Sequence, residues 1–225
     1  MSPFPLLALA SMLLDWLARW RANKSLEYIS KPLAILFLLA WLVERTYLAG
    51  GALWFAIALG LSLVGDILLM LPSERFIGGL AAFFLAQVAY IVAFNGTPLG
   101  RGGVTWITAL LVVGVGIWVY SRLAAGLVAN AKPRLRLPLL LYSILLAAML
   151  FSALACLVRP AWSLTATAPA ALGAALFFVS DTLHGWNKFV GPLWGGRLLV
   201  HITYHLGQFG ITLGAILHLS IHLVA

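Results

Sequence analysis

The chain has 225 residues, 63% of them hydrophobic and 9% charged, with a mean hydropathy of +1.05 and a formal net charge of +8. Soluble domains carry about a quarter charged residues, so this composition excludes a soluble enzyme, a disordered tail and a disulfide-rich secreted module, and leaves a bilayer protein. The basic excess more often orients a membrane chain than binds nucleic acid, and the single cysteine, Cys156, permits no intramolecular disulfide.

A helix needs about 20 mainly apolar residues to cross ~30 Å of hydrocarbon. In those units the sequence predicts eight helices, over residues 3–19, 31–49, 52–71, 76–95, 104–121, 137–158, 165–183 and 199–223. The start, MSPFPLLALASM, has no basic residue ahead of its apolar run and makes a poor secretory signal. Asp15 and Arg19 end the first helix; Glu44 and Arg45 sit late in the second. Breaks follow at Leu71-Pro72-Ser73-Glu74-Arg75, Thr97-Pro98-Leu99-Gly100, Ala131-Lys132-Pro133 and Gly191-Pro192. Pro32 and Pro138 fall at helix ends in this scheme. Loops are short and strand alternation is absent, so the fold class is all-α: one polytopic membrane helical bundle over residues 1–225.

Charge orients the bundle. The connections after helices 1, 3, 5 and 7 share one side and hold Arg19, Arg21, Lys24, Lys31, Arg75, Arg122, Lys132, Arg134, Arg136, Lys188 and Arg197, eleven of the fourteen basic residues. Arg45, Arg101 and Arg159 lie opposite. The positive-inside rule places the eleven in the cytoplasm and both termini outside, in what is expected to be a bacterial inner membrane. No nucleic-acid patch is needed.

The halves echo each other. Gly65-Asp66-Ile67-Leu68-Leu69 with Arg75-Phe76-Ile77-Gly78 parallels Ser180-Asp181-Thr182-Leu183 with Lys188-Phe189-Val190-Gly191. Phe83-Phe84-Leu85-Ala86-Gln87 parallels Tyr204-His205-Leu206-Gly207-Gln208, and Lys31-Pro32-Leu33 parallels Leu137-Pro138-Leu139. Two parallel four-helix repeats, residues 1–100 and 101–225, would account for all three. Asp66 and Asp181 would then be equivalent, each within about two turns of the inner interface.

An ionisable residue inside a span costs about 2.5–3.5 kcal/mol on insertion scales, which singles out Asp66 and Asp181. Their bland reading is an interfacial cap or a salt bridge with Lys31 or Lys188. One protonated acid beside one carboxylate is the arrangement that general acid–base chemistry needs. Asp15, Glu27, Glu44 and Glu74 read as residues of span ends or connections. Helix 8 adds a stripe of His201, Tyr204, His205 and Gln208, in which 201, 204 and 208 share one face. Gln87 and Tyr90 on helix 4 suit a cavity wall, and His184, Asn187 and Lys188 could meet a lipid headgroup. His218 and His222 read as interhelical hydrogen-bonding residues. His201 and His205 have the spacing of helical zinc ligands but lack the HExxH motif, so no metal or cofactor is expected. Gly210 and Gly214 read as close helix packing.

The run Gly65-Asp66-Ile67-Leu68-Leu69-Met70 with Phe76, Gly79-Leu80 and Ala82-Phe83, the pair Ser180-Asp181 with Asn187-Lys188-Phe189, and Thr203-Tyr204 with Gln208 resemble the YhhN-type lysoplasmalogenase family. The likeness runs from about Lys31 to His218. It implies an eight-helix membrane bundle that hydrolyses the vinyl ether bond of lysoplasmalogen, releasing a fatty aldehyde and a glycerophospho-alcohol, with the essential aspartates at Asp66 and Asp181. Gln87 stands where many members have His, and His184 where an apolar residue is usual, so the substrate could be another ether or enol lipid.

The implied chemistry needs a positioned acid to protonate the β-carbon and a negative charge beside the resulting oxocarbenium ion. The two aspartates would supply these, with Tyr204 and Gln208 orienting water and Lys31 or Lys188 holding the phosphate. The expected partners are a lysophospholipid and the bilayer. A proton-coupled transporter or lipid flippase is the alternative, since buried carboxylates in parallel repeats suit carriers equally.

Overall fold

In the computed structural model, which describes residues 2–71, 73, 75–100 and 102–220, every apolar run is helical. The helices are α1 (Phe4–Trp20), α2 (Lys24–Thr46), α3 (Ala52–Met70), α4 (Phe76–Phe94), α5 (Gly103–Ala129), α6 (Arg136–Leu154), α7 (Leu164–Phe189) and α8 (Gly196–Ser220). The described residues contain no strand. Glu74, Arg101 and His222 lie outside the described residues. Among the described residues six helices, α2 to α7, are long and apolar enough to cross a membrane. The other two are α1, with 17 residues, and α8, whose mean hydropathy its polar stripe lowers.

Three boundaries depart from the hydropathy reading. α2 begins at Lys24, not 31, because Asn23 caps it: the Asn23 side chain accepts from Leu26 N at 3.1 Å, and Glu27 sits in the first turn. Pro32 therefore lies inside α2 rather than at its end, where it removes one backbone donor. α5 and α7 continue to Ala129 and Phe189, past the apolar stretch that defined them.

Small residues set the tightest seam. A Cβ on Gly173 of α7 would stand 2.5 Å from the Ile211 nitrogen of α8. On Gly210 it would stand 2.7 Å from the Pro169 carbonyl, and on Gly214 2.5 Å from the Ala170 Cβ. Only glycine lets two backbones approach so closely, as the Gly210–Gly214 spacing predicts. Gly65 of α3 likewise receives the Phe83 ring of α4, which a Cβ would meet at 2.7 Å. α8 is the central helix and touches α1, α2, α3 and α7. α5 is peripheral, with Trp106, Ile107, Leu110, Leu111 and Trp118 exposed, a surface suited to lipid.

The end away from most of the basic residues holds a knot of polar and aromatic contacts. Arg159, 3% exposed, donates to the Thr97 carbonyl and to Asn95 Oδ1, and Asn95 Nδ2 donates to Ser152 Oγ at 2.8 Å. Trp162 stacks on His218 with ring centroids 3.9 Å apart. Arg159→Met strands two acceptors and is expected to cost about 1.5–3 kcal/mol. A lower thermal unfolding midpoint in detergent checks it; an unchanged midpoint would mean that the knot carries no stability.

Candidate active site

At the basic end the helices part around a cavity of about 440 Å³ whose lining includes both Asp66 and Asp181. Asp66 is 1% exposed. Its Oδ1 pairs with Lys31 Nζ at 2.7 Å, and its Oδ2 accepts from the Tyr204 hydroxyl at 2.6 Å. Lys31 also lies 5.3 Å from the centre of the Tyr204 ring. The salt bridge foreseen for Asp66 is therefore made, inside a cavity rather than at an interface. Asp181 is half-buried and accepts from the Tyr142 hydroxyl of α6. It is not near its helix end: α7 runs eight residues further, about 12 Å at 1.5 Å per residue.

The remaining expected residues divide into two groups. Lys31, His184, Asn187, Lys188, His201 and Tyr204 line the cavity. Lys188 lies 4.1 Å from the centre of the Phe76 ring, and Asn187 Oδ1 accepts from Leu193 N at 2.8 Å, which fastens the turn into α8. Gln87, Tyr90, His205 and Gln208 do not line it; they form the packed layer behind. There Tyr90 donates to Gln208 Oε1, and Gln208 Nε2 reaches the Tyr204 hydroxyl at 3.5 Å. The Gln87 side chain is fully buried and its amide has no hydrogen-bond partner among the described residues. With Tyr204 donating to Asp66, these bonds run in one direction, from Tyr90 through Gln208 to the carboxylate.

Asp15 and Glu27 lie toward the ends of α1 and α2, as expected, but both are buried. Asp15 is 0% exposed and Glu27 3%. Asp15 Oδ2 stands 2.6 Å from His201 Nδ1, and Glu27 pairs with Arg19 at 2.9 Å and Lys24 at 3.1 Å. Tyr142 was also missed. The signal for Asp15 was present: Ala8, Ser11, Met12, Asp15 and Ala18, the buried residues of α1, recur at helical spacing on one face. Among the described residues no three His, Cys, Asp or Glu side chains are grouped to hold a metal.

Apolar helices around a cavity that is basic at one end and carries one buried and one half-buried carboxylate define a membrane protein with an internal polar site. The chain belongs to the YhhN family, whose profile matches residues 26–215. It is similar to the lysoplasmalogenase TMEM86B of Sus scrofa, 39% identical over 69% of this chain and 60% of that protein. Human TMEM86B is 32% identical over 71% of this chain and 62% of its own length. A lysoplasmalogenase of Mycobacterium bovis is 30% identical over 69% and 60%. The chain thus spans about three fifths of the length of these relatives. No solved structure matches it.

Proposed function

We propose that the chain is a membrane hydrolase that cleaves the vinyl ether bond of lysoplasmalogen-type lysophospholipids. The observation that carries this reading is the pair of aspartates, Asp66 and Asp181, on one cavity whose rim is basic and whose inner wall is apolar. Lysoplasmalogenases among the relatives support it. They do not favour the transporter alternative.

The hydrogen bonds support a division of roles. Lys31 and Tyr204 both donate to Asp66, which makes it the fixed carboxylate. Asp181, open to the cavity and held by one hydroxyl, is the acid. Asp181 protonates the β-carbon of the vinyl ether, and the oxocarbenium ion forms facing the Asp66 carboxylate. Water adds, and the hemiacetal collapses to aldehyde and alcohol. The chain lies among Leu80, Phe83, Val119, Leu123 and Leu146, and the phosphate sits near Lys188 and Arg197.

In this reading all eight helices cross the bilayer, α1 spanning about 26 Å, with the cavity mouth and basic end cytoplasmic and the termini outside, in a bacterial inner membrane. The repeat gains support because α3 pairs with α4 as α7 pairs with α8, bringing Asp66 and Asp181 to the same cavity.

The purified protein should release aldehyde from vinyl ether lysolipids and leave alkyl ether and ester lysolipids intact; ester cleavage without aldehyde release would defeat the reading. Arg197→Gln is expected to raise KM about tenfold with kcat within twofold, as loss of one charged contact to phosphate requires. An unchanged KM would move the headgroup elsewhere.

A further inference from the structure

α1 carries two polar side chains that the aspartate pair does not use, and their partners are the histidines flanking Tyr204 on α8. Trp16 Nε1–H donates to His205 Nδ1 at 3.1 Å. An indole can only donate, so His205 Nδ1 carries no proton. Asp15 Oδ2 lies 2.6 Å from His201 Nδ1 and 3.8 Å from His205 Nδ1. As a carboxylate Asp15 can only accept, so this hydrogen bond then comes from His201 Nδ1–H, which leaves the lone pair of His201 on Nε2. That nitrogen is 4.0 Å from Glu27 Oε1, too far for a hydrogen bond, and the ring lines the cavity. Ser180 Oγ donates to the Val200 carbonyl at 3.0 Å. The next residue on each helix is Asp181 and His201, so the acid and this imidazole sit at one level of the α7–α8 seam.

We propose that His201, oriented by Asp15 of α1, is the base that takes the proton of the attacking water. This rests on the reading of the site as a vinyl ether hydrolase. The cycle balances. Asp181 gives its proton to the β-carbon and becomes a carboxylate. Water bonds to the adjacent carbon and loses a proton to His201 Nε2. The imidazolium returns that proton to the glycerol oxygen as the carbon–oxygen bond of the hemiacetal breaks. The hemiacetal hydroxyl gives its proton to Asp181 as the aldehyde forms, and both groups are restored. Asp15 is a positioning residue in this scheme: it holds the ring and its tautomer, and it lies ahead of the segment matched by the family.

The test uses the purified full chain in detergent with a vinyl ether lysolipid. His201→Gln is expected to lower kcat about 100-fold, as for a lost general base, with KM within about twofold. His201→Ala is expected to recover about tenfold when imidazole is added, since the general base is then supplied in trans. Asp15→Asn should lower kcat about tenfold alone and cost nothing further in the His201→Gln background; a packing defect would add there as well. His201→Gln within about threefold of wild type overturns the proposal. So does a folded His201→Ala that imidazole does not rescue; if that variant fails to fold, His201→Gln decides. Wild-type protein that releases no aldehyde overturns both the proposal and the reading beneath it. Aldehyde release with His201 dispensable overturns the proposal alone.

Discussion

Asp181→Asn is expected to lower aldehyde release about a thousandfold, the scale of a lost general acid, without unfolding the protein. An amide keeps the contact with the Tyr142 hydroxyl but holds no proton acidic enough for carbon. Asp66→Asn is expected to lose activity on the same scale for a different reason, and the difference is measurable. Asp66 neutralises Lys31 at 2.7 Å inside the bundle. Removing one member of a buried ion pair costs about 3–5 kcal/mol because the other charge is stranded. Thermal unfolding in detergent should therefore fall for Asp66→Asn and stay near wild type for Asp181→Asn. Full activity in either variant would remove the aspartate pair from the chemistry.

Gly210→Leu is expected to break the fold outright. Its Cβ would stand 2.7 Å from the Pro169 carbonyl and 2.9 Å from the Gly173 Cα, and these are backbone atoms that cannot turn aside. α7 and α8 would have to separate, and with them Asp181, His201 and Tyr204. Overpacking typically costs about 1–3 kcal/mol, and more where, as here, the neighbouring atoms cannot yield. Gly114→Leu on the peripheral α5, where nothing lies within 4 Å, is the control and should be neutral. Size-exclusion chromatography and thermal unfolding in detergent separate the two; a monodisperse Gly210→Leu variant with a wild-type midpoint would contradict the seam.

The eight helices were legible because burial in hydrocarbon demands long apolar runs, and breaks such as Thr97-Pro98-Leu99-Gly100 stand out against them. Asp66 and Asp181 were legible for the same reason, as charges where lipid tolerates few. The polar ends were not. Lys24–Ser30 and His184–Phe189 are helical through capping and packing against neighbours, which a hydropathy window does not register. Lys31 was foreseen as a partner because it is a cation at the right depth. Tyr142 was not, since one tyrosine among the leucines of α6 looks like core until α7 is placed beside it. Asp15 falls where the first apolar run ends; the helical spacing of Ala8, Ser11, Met12, Asp15 and Ala18 marks a buried face, but the partner His201 is set only when α8 packs against α1. Gln87 and Tyr90, which helix spacing places in a cavity wall, lie in the buried layer behind it, a distinction that spacing does not resolve.

Hydrolysis of a vinyl ether lysolipid by the purified protein in D2O tests the central claim most directly. Carbon protonation by a cavity acid predicts an aldehyde bearing one deuterium on the carbon next to the carbonyl, released in equal amount with the glycerophospho-alcohol and absent with Asp181→Asn. An aldehyde formed without that deuterium, or no aldehyde at all, would contradict it.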